Sequence, residues 1–186
     1  MKNTDDDFKV WFSDLATQYY IAARLAAQAM LIPIYGNLLH HAIGMYLKAA
    51  LVGTLPVADM KRKPYNHDLT ALWQRFKAEE SNPSLDSFDP TIQALHKFES
   101  IRYPDDIVNK GMFGSIAWEP HHAVTASGSA KLPPKYEVII GNADNLVFEI
   151  FQRTQINPKV YLTGKVGGAV DEALTYQNPK KSFWKR

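Results

Sequence analysis

The chain has 186 residues, with 21 Lys and Arg against 19 Asp and Glu, and carries a net charge of +2 at neutral pH. At 46% hydrophobic and 22% charged residues it has an ordinary globular composition, and its length suits one domain that buries a core without staples. The absence of Cys excludes disulfides, a thiol nucleophile, iron–sulfur clusters and cysteine-ligated zinc, and so small a net charge does not by itself argue for nucleic acid.

The N-terminus, Met1 to Asp7, is acidic and leads into no signal-type apolar core. The apolar region from Ile21 to Leu39 is interrupted by Arg24, Gln28, Pro33 and Asn37, so no membrane span is expected and a cytoplasmic location is. From Phe8, apolar residues recur at Trp11, Phe12, Leu15, Tyr19, Ala22, Ala26 and Met30, which predicts one buried stripe on a long helix. The alanines among them favour the helix and let a neighbour approach closely. Pro33 marks the expected break.

A second helix is expected from about Ile34 or Asn37 to Val52, with Leu39, Ile43, Leu47 and Ala50 in register and Gly53 as its stop. Leu55 to Asn66 reads as a basic loop. A third helix begins near Asn66 or His67, which can cap it, and carries Leu69, Leu72, Trp73 and Phe76. Ser81 to Ser84 is a loop. Asp89-Pro90 then opens a fourth helix with Ile92, Leu95 and Phe98, closing by Tyr103-Pro104. Four amphipathic helices with short connections predict an all-α, up-and-down bundle over residues 1–110.

Residues 111–186 read as a C-terminal extension packed on that bundle, the whole forming a single domain. Tyr136 to Ile140 has the composition of a short strand or one arm of a hairpin. Asn142 is placed to cap a fifth helix with Ala143, Leu146, Val147, Ile150 and Phe151 on one face, ended by Pro158. No periodicity emerges after Gly164. Residues 176–186 carry four positive charges and no negative one, leaving −2 for the rest.

The chemistry available is that of His, Arg, Lys and carboxylates. His40 and His41 are consecutive, so they point about 100° apart on a helix and are not expected to share one site. One is expected to pack between helices, the other to meet solvent or a dimer partner. His121-His122 lacks metal-ligand spacing, so no metal and no cofactor is expected. Lys61-Arg62-Lys63 beside Tyr65, and the tail Lys180 to Arg186 with Phe183 and Trp184, join cations to aromatics in a way that suits single-stranded nucleic acid. The tail aromatics can equally dock on the body. His67-Asp68 reads either as a capped helix start or as a proton-transfer group beside its cap. Gly164 to Gly168 has neither phosphate-loop nor dinucleotide spacing.

Three segments together resemble the HEPN family of helical-bundle domains. They are Asn37 to Leu51 with its His and Lys-Ala positions, His67-Asp68-Leu69 followed by Leu72-Trp73, and Arg102-Tyr103-Pro104-Asp105. The resemblance implies a compact bundle, often a homodimer, that binds nucleotide or RNA. The binding candidates are Lys48, His67, Asp68, Arg102 and Tyr103 in these segments, together with Lys61, Arg62 and Lys63 of the basic cluster. Many members are metal-independent ribonucleases of toxin–antitoxin or phage-defence systems, with a partner protein encoded nearby, and carry an Arg followed about four to six residues later by a His. Arg102 occupies the Arg position, but no His follows it through residue 109, and Gly44 stands where many relatives have Glu. The expectation is therefore a nucleotide- or RNA-binding protein without the usual nuclease motif. The alternatives are a divergent endoribonuclease using Arg102 with His67 or His41, and a protein-interaction module.

Overall fold

In the computed structural model, which describes residues 4–98, 105, 108–109, 113–119, 135–154, 156–162 and 167–185, the chain opens with helix α1 (Asp5–Gln28). A capping box starts it: the Thr4 hydroxyl accepts from the Asp7 N–H at 3.3 Å, and the Asp7 carboxylate accepts from the Thr4 N–H at 2.8 Å. Asp5, Asp6 and Asp7 sit at the positive end of the helix dipole. The helix ends before Pro33 is reached. Met30 turns left-handed (φ 56°), and the N–H groups of Met30 and Leu31 return to the carbonyls of Ala27 and Ala26. That paired return is a Schellman closure.

Pro33 instead lies in the first turn of α2 (Ile32–Leu51), where its missing N–H costs nothing. Helix α2 is the central element. It buries Tyr35, Leu39, Ile43, Tyr46 and Leu47, and packs against most of the other helices. Gly36 lets it approach the last turn of the fourth bundle helix, since a Cβ there would lie 2.0 Å from Phe98. Gly53, at φ 96°, lets the chain turn away after Leu51.

The segment read as a basic loop contains a single helical turn, α3 (Val57–Met60), that buries Met60. Helix α4 (Leu69–Glu80) is capped by Asp68, whose carboxylate accepts from the Ala71 N–H at 2.9 Å. Neither Asn66 nor His67 supplies the cap. A 3-10 turn (Pro83–Phe88) leads into α5 (Asp89–Phe98). The Asp89 carboxylate accepts from the Trp73 indole at 2.6 Å and from Lys77 at 2.8 Å, which pins α4 to α5.

The protein is all-α apart from two short strands, β1 (Phe113–Ala117) and β2 (Lys135–Ile139). They pair in parallel, Phe113 opposite Lys135 and Ala117 opposite Ile139. The expected strand is present but the hairpin is not, because hairpin strands run antiparallel. Helix α6 (Ile140–Thr154) follows β2 directly, so Asn142 lies inside the helix and does not cap it. A 3-10 turn (Pro158–Leu162), α7 (Gly168–Thr175) and α8 (Lys181–Trp184) complete the described chain. Helices of eight and four residues are too short to show a periodic pattern. Among the described residues no helix is long and apolar enough to cross a membrane.

One cluster of buried side chains runs from Ala16 through Leu95 to Leu146, Phe151 and Trp184, so residues beyond 111 share the core of the bundle. The tail aromatics are part of it. Trp184 stacks on Tyr20 at 5.2 Å, and Phe183 packs on Phe148 and Phe151. Trp184 is buried and Phe183 half-buried, so the tail aromatics dock on the body.

The largest departure from expectation is the facing of α1. Trp11 is 72% exposed, and Leu15, Leu25 and Met30 are also exposed. The buried face carries Ser13, Ala16, Thr17, Tyr20, Ala23, Arg24 and Ala27. Thr17, Tyr20 and Arg24 turn inward onto partners, whereas the buried Ser13 hydroxyl has none among the described residues. Tyr46 donates to the Thr17 hydroxyl at 3.0 Å, and Thr17 donates to the Ser13 carbonyl. Arg24, 1% exposed, donates to Asp144 of α6 at 2.6 Å, to the Ala173 carbonyl at 2.8 Å and to the Tyr176 carbonyl. The Tyr20 hydroxyl fills the other oxygen of Asp144 at 2.5 Å. Burial pushes the Asp144 carboxyl up to about 6, while Arg24 and the Tyr20 hydrogen bond hold it down. At neutral pH it is ionised and paired.

Asp144→Asn leaves the guanidinium buried without an anion, and a loss of about 3–5 kcal/mol is expected in urea unfolding. Arg24→Met removes a group that lowers the carboxyl, so Asp144 should titrate above its present value of about 6 when its carboxyl carbon is followed by NMR. A titration that stays in place would show that the guanidinium is not what ionises it.

Candidate functional site

Helix α2 places His41, Gly44, Met45 and Lys48 on one face, a spacing of i, i+3, i+4 and i+7. Opposite them, the chain that enters α4 brings Asn66 and His67, and α4 itself contributes Leu69 and Leu72. Together they enclose a cleft of about 160 Å³, with Tyr19 of α1 and His40 completing the wall. Gly44 keeps the space open, because the nearest atom to a Cβ there would be Leu69 Cδ1 at 3.9 Å.

Lys48 does not extend into solvent. It is 7% exposed, and its ammonium donates to the Asn66 carbonyl at 3.0 Å. Burial draws its pKa below that of an ordinary lysine. No described carboxylate pairs with it, and no Asp or Glu lines the cleft. A largely desolvated cation in an acid-free cleft is chemistry suited to an anion.

The two consecutive histidines share this site, contrary to the angular argument. His40 is buried, with Nδ1 3.2 Å from the Leu95 carbonyl and its ring stacked on His96 at 6.2 Å. His41 meets the His40 ring edge-on at 5.7 Å and the Tyr19 ring at 5.4 Å. His40 thus packs between helices as expected, yet still forms the inner wall.

A second, shallower cleft of about 340 Å³ adjoins the first through Asn66 and His67, and adds Lys63, Pro64, Asp68 and His96. Asp68 lines it, but its carboxylate serves the α4 cap. Lys61 and Arg62 are exposed beside this cleft in sequence and line neither. The structure therefore brings together His41, Lys48, His67, Asp68 and Lys63. Arg102, Tyr103 and His121-His122 lie outside the described residues. Tyr19, His40, Asn66 and His96 are site residues that sequence reasoning missed. Only the α2 face spacing could have pointed to part of the set.

Among the described residues no group of three His, Asp or Glu side chains converges as metal ligands. No family model matches this chain, and no curated protein and no solved structure matches it.

Two glycines of α2 give opposite expectations. Gly44→Ala adds a methyl group into open space and gains about 0.5–1 kcal/mol from helix propensity. Gly36→Ala forces a Cβ onto Phe98 and costs about 1–3 kcal/mol. Thermal unfolding of the two variants checks both signs.

Proposed function

We propose that this protein is a HEPN-like binder of RNA or nucleotide phosphate, with the Lys48 cleft as its anion site. The observation that carries the reading is the buried Lys48 ammonium, held by one carbonyl and facing a cleft without acids. A phosphate there supplies the missing negative charge, and the His41 and His67 rings flank it. Lys63 on the adjoining cleft, with exposed Lys61 and Arg62 next to it in sequence, gives further backbone phosphates somewhere to go. The cytoplasm, where RNA and nucleotides abound, is the compartment this reading assigns.

Two imidazoles in one cleft also favour a second reading, a metal-independent endoribonuclease in a toxin–antitoxin or phage-defence system with a partner protein encoded nearby. One ring would take a proton and the other supply one, while Lys48 steadies the charge on phosphorus. The first reading ranks higher because the Arg-to-His nuclease motif is incomplete after Arg102.

Fluorescence anisotropy with labelled single-stranded RNA, without metal and over a salt series, tests the reading, with the same samples run on a gel. Binding that weakens steeply with salt is expected, without cleavage. Lys48→Met and Gly44→Leu should each weaken it by about tenfold or more, the first by removing the charge and the second by filling the cleft. Absence of binding at low salt overturns the proposal. Cleavage lost in His67→Ala selects the second reading.

The homodimer implied by the resemblance has a surface that supports it. Phe8, Trp11, Leu15, Ala22 and Leu25 lie along the outer side of α1 in the register of a helix-pairing seam, with Gln18 taking the one polar position between Leu15 and Ala22. An apolar groove of about 230 Å³ lies between Phe8, Trp11, Phe12 and Leu15. Trp11→Glu is expected to convert a dimer to monomer in light scattering without lowering the melting temperature of the fold. A wild-type protein that is monomeric at every concentration leaves this face to a different protein partner, the third reading.

A further inference from the structure

A second cleft, of about 390 Å³, lies between the end of β1, the first turns of α6 and the α7–α8 turn. That volume falls within the range of about 300–1,000 Å³ seen for small-molecule sites. We infer that it is a base-recognition subsite, in which the carboxamides of Asn142, Asn145 and Gln177 read the edge of an uncharged nucleobase beside the Trp118 indole.

The walls of the cleft are held from behind. Trp118 rests on the Arg24 guanidinium, whose central carbon is 5.2 Å from the ring centroid, and meets the Tyr176 ring edge-on at 5.1 Å. Gly141 packs closely where α6 leaves β2: its N–H reaches the Trp118 carbonyl, and a Cβ would stand 3.3 Å from that oxygen. Asn178 is locked by three hydrogen bonds, to the Tyr20 hydroxyl, the Leu174 carbonyl and the Lys180 N–H. It is structural.

The other three carboxamides behave differently. Asn145 is half-buried, Asn142 and Gln177 are exposed, and none of the three is engaged by a side-chain hydrogen bond among the described residues. Each sets a donor and an acceptor side by side in one plane. That pairing matches the donor–acceptor edge of a purine or pyrimidine, as in the bidentate contacts that Asn and Gln make with adenine. Vicinal hydroxyls of a sugar can also engage a carboxamide, which is why glucose serves as the control. An aromatic side chain beside the amides is what unstacked bases use as a platform. The charged side chain lining the cleft is Glu119, which opposes a phosphate there. The ligand is therefore the base itself.

This inference does not rest on the Lys48 cleft, and nucleosides, which carry no phosphate, keep the two apart. Adenosine, guanosine, cytidine and uridine, with glucose as control, are added at millimolar concentration while the side-chain amide and indole N–H signals are followed by NMR. At least one nucleoside should shift the signals of Asn142, Asn145, Gln177 and Trp118 saturably. Asn145→Ala should weaken that binding by about tenfold or more. Gln177→Gly, which suits the positive φ of 45° at that position, should weaken it with the melting temperature unchanged. No saturable shift with any nucleoside, an equal response to glucose, or shifts confined to other residues overturns the inference. RNA binding that persists after such a failure would leave the Lys48 reading standing.

Discussion

A guanidinium removed from water needs an anion and hydrogen-bond acceptors for its remaining donors, and Arg24 finds both in the C-terminal third of the chain. Asp144 supplies the charge, and the carbonyls of Ala173 and Tyr176 supply the rest. The consequences reach every part of the fold. Helix α1 must turn its Arg24 face inward, which forces Trp11 and Leu15 outward. Helix α6 and the α7 turn must close over α1, which draws Trp184 onto Tyr20 and places Trp118 over the guanidinium. The C-terminal residues are thus part of the interior.

Lys48 is, with Arg24, a buried cation among the described residues, and the comparison between the two gives the candidate site its meaning. Arg24 is fully covered, whereas Lys48 is 7% exposed and its ammonium is part-buried at the cleft wall. Arg24 is neutralised by a carboxylate 2.6 Å away, whereas Lys48 has one neutral carbonyl at 3.0 Å. Burial without a counter-charge disfavours the ammonium, which accounts for the lowered pKa of Lys48. An external anion would restore the balance that Asp144 provides for Arg24. The absence of a side chain at Gly44 leaves the room such an anion needs.

Much of the bundle was legible because its signals are local. Leu69, Leu72, Trp73 and Phe76 on α4, and Ile92, Leu95 and Phe98 on α5, lie at helical spacing and are buried as expected. The stripe on α1 misled for a physical reason: hydrophobicity ranks Trp11 above Arg24, but a buried Arg becomes favourable once Asp144 meets it, 120 residues away. No local pattern records such a partner. The same holds at the site. His41 and Lys48 were readable as one face of α2, while Asn66 and His40 join them only through tertiary packing. The angular argument separating His40 from His41 failed because a cleft has two walls, and adjacent residues can supply one each.

On the proposed reading, the buried Lys48 ammonium takes an external anion. Nitrogen-detected NMR of the lysine ammonium and histidine ring signals during addition of inorganic phosphate tests it most directly. The account predicts that Lys48 and His67 shift together and saturate while Arg24 stays in place. Saturation confined to Lys61, Arg62 and Lys63, or no saturation at Lys48, would contradict it.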